Sequence, residues 1–269
     1  MKIKASIKII IHIIFIVVLT ISTQIGGIIY LMTLLIISKK KPKYKIKRVF
    51  FFTLLYLIST YLIIPNIAPL FGRVKIEDNY RIGAHSFITK VCNRNYVTPK
   101  MHAVLTDVSL RINKEFPEIK LIYLDANFPF FDGFPLLPHL SHKDGKKVDI
   151  SFIYENEKGK TNLKPSLSGY GIFEAPLRDE LNQTQICKQN GFWQYDFTKY
   201  LTLGFHHRNL KFSTNGNKKI IENILANSNV SKVFIEPHLK NRLNLNHSKI
   251  RFHGCRAVRH DDHIHFQIH

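Results

Sequence analysis

A chain of 269 residues with 39 Lys and Arg, 19 Asp and Glu and a formal net charge of +20 has room for one large or two small domains. Its charge is unevenly spread: residues 1–73 hold eleven basic residues and no carboxylate, the first being Glu77, and the remainder carries a net charge of about +9. A uniformly solvated chain is excluded by that asymmetry; the two regions face different surroundings.

The first region reads as membrane-spanning. Residues 7–23 (IKIIIHIIFIVVLTIST) and 25–38 (IGGIIYLMTLLIIS) are almost wholly apolar, and a third apolar run covers 49–71 after a basic stretch at 39–48. A spanning helix needs about 20 apolar residues rising about 1.5 Å each. Residues 49–66 satisfy this, whereas 7–38 are long for one helix and short for two. They form either a tight hairpin turning near Gln24–Gly27, the preferred reading, or one tilted span. No small-residue cleavage pattern follows the first run, so residues 1–72 read as a retained anchor of two or three helices. Seven basic residues in ten place the 39–48 loop on the cytoplasmic side and everything beyond residue 72 outside it. In that compartment Cys92, Cys187 and Cys255 allow one disulfide and one free thiol, with the pairing open.

Residues 73–269 are enough for one domain. Residues 98–116 read as a helix capped by Thr98 with Pro99 first, 119–126 as a strand and 146–154 as an alternating strand. Residues 156–190, rich in Gly, Ser, Asn, Lys and Pro, read as a long excursion with little regular structure. A helix is expected at 217–228 and strands at 230–237 and 263–269. Helices and strands mix without regular alternation, which predicts an α+β domain.

Two segments carry chemistry. In PHLSHKDGKKVDISF (138–152), His142 and Asp149 are separated by six residues including Gly145, which allows a sharp turn. A His on a loop and an Asp on the next strand can converge on a metal. At the other end, RHDDHIHFQIH (259–269) places His263 and His265 two apart, hence on one face of a strand. Zinc accepts imidazole and carboxylate ligands tetrahedrally and, in catalytic sites, keeps one position open. Asp261 and Asp262 could each orient these imidazoles as acceptors. Parity puts Asp261 on the His263 face if the strand begins that early, with His260 and Asp262 then pointing away unless the strand is irregular. His139, His253 and His269 read as surface or satisfied histidines, with His139 near enough to touch the rim. His206 and His207 read as part of a partly buried aromatic segment. Phe128, Phe130, Phe131 and Phe134 form either a substrate groove or a tight core loop, flanked by Asp125 and Asp132.

Ser141-His142, Gly145 and Asp149, followed by His260, His263 and His265, resemble the penicillin-insensitive murein endopeptidases. These belong to the zinc peptidase group that includes lysostaphin-type enzymes, D-Ala-D-Ala peptidases and the hedgehog fold. The resemblance is clear over 140–150 and 260–265 and only general elsewhere; the anchor and the 156–190 insert have no counterpart in it. It implies a hedgehog/D-Ala-D-Ala-peptidase-like domain with an antiparallel sheet behind an all-α transmembrane region. His142, Asp149 and His265 would be ligands of Zn2+, His263 the base or transition-state stabiliser, and His260 an auxiliary catalytic residue. The implied activity is hydrolysis of amide bonds in peptidoglycan peptides. Cross-link endopeptidase is favoured over D,D-carboxypeptidase, because no Glu stands at the His263 position. The implied location is the bacterial inner membrane with the peptidase domain on the periplasmic side, and no nucleic-acid partner is expected. The alternatives are a non-catalytic zinc-containing wall-binding module and, more weakly, a metal-dependent phosphoesterase.

Overall fold

The computed structural model describes residues 2–40, 42–204 and 207–269, and the side chains from residue 6 onward; His206 lies outside the described residues. The N-terminal apolar runs form a helical hairpin, α1 (Lys2–Thr23) and α2 (Gly26–Ile36). Gln24 turns the chain in a left-handed conformation with φ 67°. The two helices touch at Gly27, where a Cβ would lie 1.9 Å from Thr20 Oγ1 and 2.6 Å from the Ile16 carbonyl oxygen. After the basic loop, α3 (Tyr44–Ile58) continues through irregular helical turns to Phe71. Ser6–Thr23 and Tyr44–Phe71 are each long and apolar enough to cross a membrane. The 11 residues of α2 rise only about 17 Å, too little for a full span.

These helices dock directly on the remainder of the chain. The Tyr56 hydroxyl donates to the Val91 carbonyl (2.6 Å), the Phe130 amide to Gln24 Oε1 (3.1 Å), and Asn93 Nδ2 to the Thr23 carbonyl (3.3 Å). Phe130 and Phe131 pack edge-on against Phe71, with ring centroids 4.9 and 5.5 Å away. Neither reading of the phenylalanine segment, substrate groove or tight core loop, anticipates this packing of Phe130 and Phe131 against the N-terminal helices.

The rest is a mixed α+β domain around a six-stranded sheet. In chain order its strands are β1 (Ile82–Ala84), β2 (Leu121–Asp125), β3 (Lys147–Ser151), β4 (Val230–Phe234), β5 (Ile250–Arg251) and β6 (His263–Ile268). They lie in the order β5-β4-β6-β3-β2-β1. The helices used below are α4 (Pro99–Glu115), α5 (Gln183–Gln189) and α6 (Thr214–Leu225). The expected antiparallel sheet is corrected at both edges: β1 runs parallel to β2 and β5 parallel to β4, while the four central strands are antiparallel. The β1-to-β2 connection carries α4, and a parallel pair requires such a long crossover.

Two local expectations change. The strand expected over 146–154 stops at Ser151 and resumes at Tyr154–Asn156, which joins a separate small sheet with Gly159–Thr161. The excursion therefore contains a hairpin, and it contains α5 as well. The aromatic stretch that precedes His207 forms short 3-10 turns over Trp193–Leu201.

Alternation along β3 and β6 sorts side chains between two faces. Val148, Ile150, Ile264 and Phe266 are fully buried and join one hydrophobic core with Val104, Leu105, Val108 and Ile112 of α4 and with Ile220, Ile221 and Ile224 of α6. Thr98 starts α4 by accepting a hydrogen bond from the Met101 amide (3.3 Å). The opposite face of the same strands carries Asp149, Ser151, His263 and His265.

Cys187 of α5 is bonded to Cys255, and Cys92 is free. The bond ties the excursion to the segment that leads into β6. It closes a loop of 68 residues, for which restriction of the unfolded chain contributes about 4 kcal/mol. Replacing both cysteines by Ser should lower the unfolding free energy of the detergent-solubilised protein by about that amount in guanidinium titrations followed by circular dichroism. Cys92→Ser leaves the bond intact and, at a half-buried position, should lower the unfolding free energy by only about 1 kcal/mol.

Candidate metal centre

The site grows from strand register. His265 on β6 stands opposite Asp149 on β3, Asp149 stands opposite Asp125 on β2, and His263 stands opposite Ser151. Cross-strand partners bring side chains within reach on one face. His142 arrives from the preceding loop, whose backbone turns through Gly145 at φ 73°, with the Gly145 amide held by Asn127 Oδ1 (3.1 Å).

Three atoms converge. His265 Nδ1 is 2.8 Å from Asp149 Oδ1, His142 Nε2 is 3.1 Å from the same oxygen, and the two nitrogens are 3.2 Å apart. Two ligands about 2.0–2.1 Å from one ion at the tetrahedral angle lie about 3.3 Å apart, so this spacing suits a small cation. The remaining atoms are oriented for it. His142 Nδ1 faces the Ala126 carbonyl oxygen at 2.7 Å, which leaves the Nε2 lone pair of the neutral ring toward Asp149. Asp149 Oδ2 accepts from the Tyr170 hydroxyl (2.9 Å) and faces His139 Nδ1 (3.1 Å), leaving Oδ1 to the converging nitrogens. Either a proton or a cation must occupy the space between these electron-rich atoms.

His139, His142 and Asp149 form a buried group that could hold a metal ion, their candidate ligand atoms lying within 4.8 Å of one another. His139, expected to be a surface or satisfied histidine, is of the second kind: it is buried, edge-on against Tyr170, and its Nδ1 lies 3.1 Å from Asp125 Oδ2. Asp125 also receives the Arg94 guanidinium, with Nε 2.9 Å from Oδ1.

His263 Nε2 lies 3.7 Å from Asp149 Oδ1, and its Nδ1 is 2.5 Å from Asp262 Oδ1. The strand does not begin early enough for parity to include Asp261: β6 starts at His263, so residues before it do not alternate. Asp262, not Asp261, orients His263, and Asp261 pairs with Arg259 instead (Nε to Oδ1, 2.6 Å). His260 is buried with its ring 4.9 Å from that of His263, so it stays in the cluster despite the expected outward direction. His253 is exposed and lies over His260 at 5.2 Å.

Charge in the cluster follows from these contacts. Burial opposes ionisation of Asp149, but His142, His263 and His139 hold its carboxyl well below the usual range. Burial alone would lower His263; the Asp149 and Asp262 carboxylates outweigh it and push the imidazole up to about 9. Burial brings His265 down to about 4 despite its contact with Asp149, which favours a neutral ring. Burial and the Asp149 charge raise the Tyr170 hydroxyl well above its ordinary value, so it remains a donor.

Sequence reasoning missed Tyr170, Arg94 and the contact of His139 with Asp149. Tyr170 belongs to the excursion and is flanked by Gly169 and Gly171 at φ 84° and 82°. The Gly171 amide donates to Asp262 Oδ2 at 2.7 Å, and a Cβ there would lie 2.4 Å from the Thr198 carbonyl oxygen. Glycine-Tyr-glycine was the available signal. A cavity of about 190 Å3 reaches His139 and Tyr170 between Ile88, Leu124, Pro138 and Leu201.

No protein-family model matches the chain, and no curated protein matches it significantly.

If this cluster binds a divalent ion, metal present at about a thousand times its dissociation constant should add about 4 kcal/mol of stability. A chelator should reverse the gain in thermal melts, and Asp149→Ala should abolish it. An unchanged wild-type melting temperature across divalent metals would contradict the site.

Proposed function

We propose that the chain is a membrane-anchored zinc peptidase that hydrolyses amide bonds in peptidoglycan peptides outside the cytoplasm, with cross-link cleavage favoured. The observation that carries this reading is the convergence of His142 Nε2, Asp149 Oδ1 and His265 Nδ1 within 3.2 Å, with His263 Nε2 alongside. The residue spacing that resembles the murein endopeptidases supports it, as does a mixed domain following two helices of membrane-spanning length. The disulfide is consistent with an oxidising compartment. The hedgehog/D-Ala-D-Ala-peptidase-like fold belongs to the same proposal.

In this reading His142, Asp149 and His265 hold zinc. His265 is preferred to His139 as the third ligand because its Nδ1 meets Asp149 Oδ1, the same oxygen that His142 Nε2 meets, whereas His139 Nδ1 faces Oδ2. Bound zinc would supply Lewis acidity, polarising the scissile carbonyl and making water acidic enough to attack near neutral pH. His263 moves the proton at Nε2, because its Nδ1 is committed to Asp262. Tyr170 and His139 keep Asp149 Oδ2 occupied, which points Oδ1 inward. His260 packs beside His263 and limits its ring positions. The cytoplasmic placement of the 39–48 loop, and so the side of the membrane, rests on its basic charge.

The test is digestion of purified peptidoglycan by the full-length protein, with metal content measured in parallel. Wild type should release new muropeptides and lose this on chelation. His263→Ala should keep its zinc and lose about 100- to 10,000-fold in turnover, the usual contribution of a positioned proton-transfer group. His142→Ala should lose both. Stoichiometric zinc with unchanged muropeptides from several wall types would sink the peptidase and leave a binding module.

A further inference from the structure

A second feature lies at the opposite end of the molecule's logic, in the helical anchor. There α1, α2 and α3 enclose a cavity of about 550 Å3 at the end where α1 and α3 begin and α2 finishes. Each long helix gives it one stripe. Lys8, His12, Phe15 and Leu19 recur along one face of α1, and Tyr44, Arg48 and Phe52 along one face of α3, with Tyr30 and Leu34 of α2 between them.

The lining is divided by depth. Lys8, Lys39, Lys45 and Arg48 form the mouth, and no carboxylate occurs in the chain before Glu77. Among the described residues none of the four pairs with an acidic group. Arg48 is partly used: its guanidinium donates to the Leu34 and Ile37 carbonyls (3.2 and 2.7 Å), offsetting the negative end of α2. Below the mouth the walls are aromatic, with Tyr30 packed against Phe15 and Phe52 at 6.0 and 6.1 Å. His12 Nδ1 and the Tyr30 hydroxyl satisfy one another at 2.8 Å, so the wall presents little unmet polarity. From Lys8 to Leu19 the cavity follows about 16 Å of helix, close to one leaflet of a hydrocarbon core about 30 Å thick.

We propose that this cavity is a binding site for one anionic membrane lipid, with its phosphate among Lys8, Lys39 and Lys45 and an acyl chain along Phe15, Leu19 and Phe52. Basic pockets between membrane helices bind anionic headgroups through charge, and an apolar wall of leaflet depth accommodates a chain rather than a free anion. The site rests on the helices lying in a bilayer and is independent of the metal centre.

The test uses the full-length protein in nanodiscs of phosphatidylcholine doped with phosphatidylglycerol. Lipids retained after transfer to detergent are counted by native mass spectrometry. Wild type should retain phosphatidylglycerol in preference to phosphatidylcholine. Lys8→Gln combined with Lys45→Gln should lower that retention about thirtyfold, in line with the effect of two cations near an anionic surface. Lys40→Gln combined with Lys47→Gln removes the same charge from exposed positions off the cavity and should leave retention unchanged. Equal retention of the two lipids overturns the proposal, as does equal loss in both double variants. Displacement of phosphatidylglycerol by inorganic phosphate alone would assign the site to a soluble anion and also overturn it. Release of the chain from native membranes by alkaline carbonate would remove its premise, whatever the peptidoglycan digest shows.

Discussion

The pairing of His265 with Asp149 across β6 and β3 is the contact on which the candidate site depends. A strand register is all-or-none: a slip of one residue would turn every side chain to the other face. Here the slip is resisted by the core. Val148, Ile150, Ile264 and Phe266 fill the face under α4 and α6, and burial of each large apolar side chain contributes about 1.5–3 kcal/mol. The apolar half of each strand thus pins the polar half in position. Asp149, His263 and His265 are nearly inaccessible as a result, and their charges are settled by one another and not by water.

Placing that many ionisable groups in the interior is costly unless each is paired and hydrogen-bonded. The excursion supplies much of the pairing. Tyr170 donates to Asp149, the Gly171 amide donates to Asp262, and Asp262 in turn orients His263. The Cys187–Cys255 bond holds the excursion against the chain leading into β6. On the other flank, Arg94 meets Asp125, which shares His139 with Asp149. A segment that resembles an elaboration of the domain is, in physical terms, one wall of the site.

What could be read from the sequence followed short-range rules. The hairpin turn at Gln24, the Thr98-capped helix, and the placement of His142, Asp149, His263 and His265 all depend on periodicity, caps or spacing within a few residues. What could not be read depends on long-range placement or on where an element starts. β1 is three residues long and gains its place only by pairing with β2. The exchange of Asp261 for Asp262 beside His263 follows from β6 beginning at His263, two residues later than parity with Asp261 needs. Tyr170 reaches Asp149 across 21 residues through two left-handed glycines, a path without periodicity. His139 was visible three residues before His142, but its burial against Tyr170 required the excursion to be in place.

The most direct measurement of the central claim is X-ray absorption at the zinc edge of the metal-loaded protein and of its His265→Ala and His139→Ala variants. The account predicts a wild-type shell of nitrogen and oxygen at about 2.0–2.1 Å with two imidazoles and no sulfur. His265→Ala should lose one imidazole from that shell, and His139→Ala should keep both. A shell that loses an imidazole with His139→Ala and keeps both with His265→Ala would contradict the assignment of the third ligand. Failure of the wild type to retain zinc would contradict the centre itself.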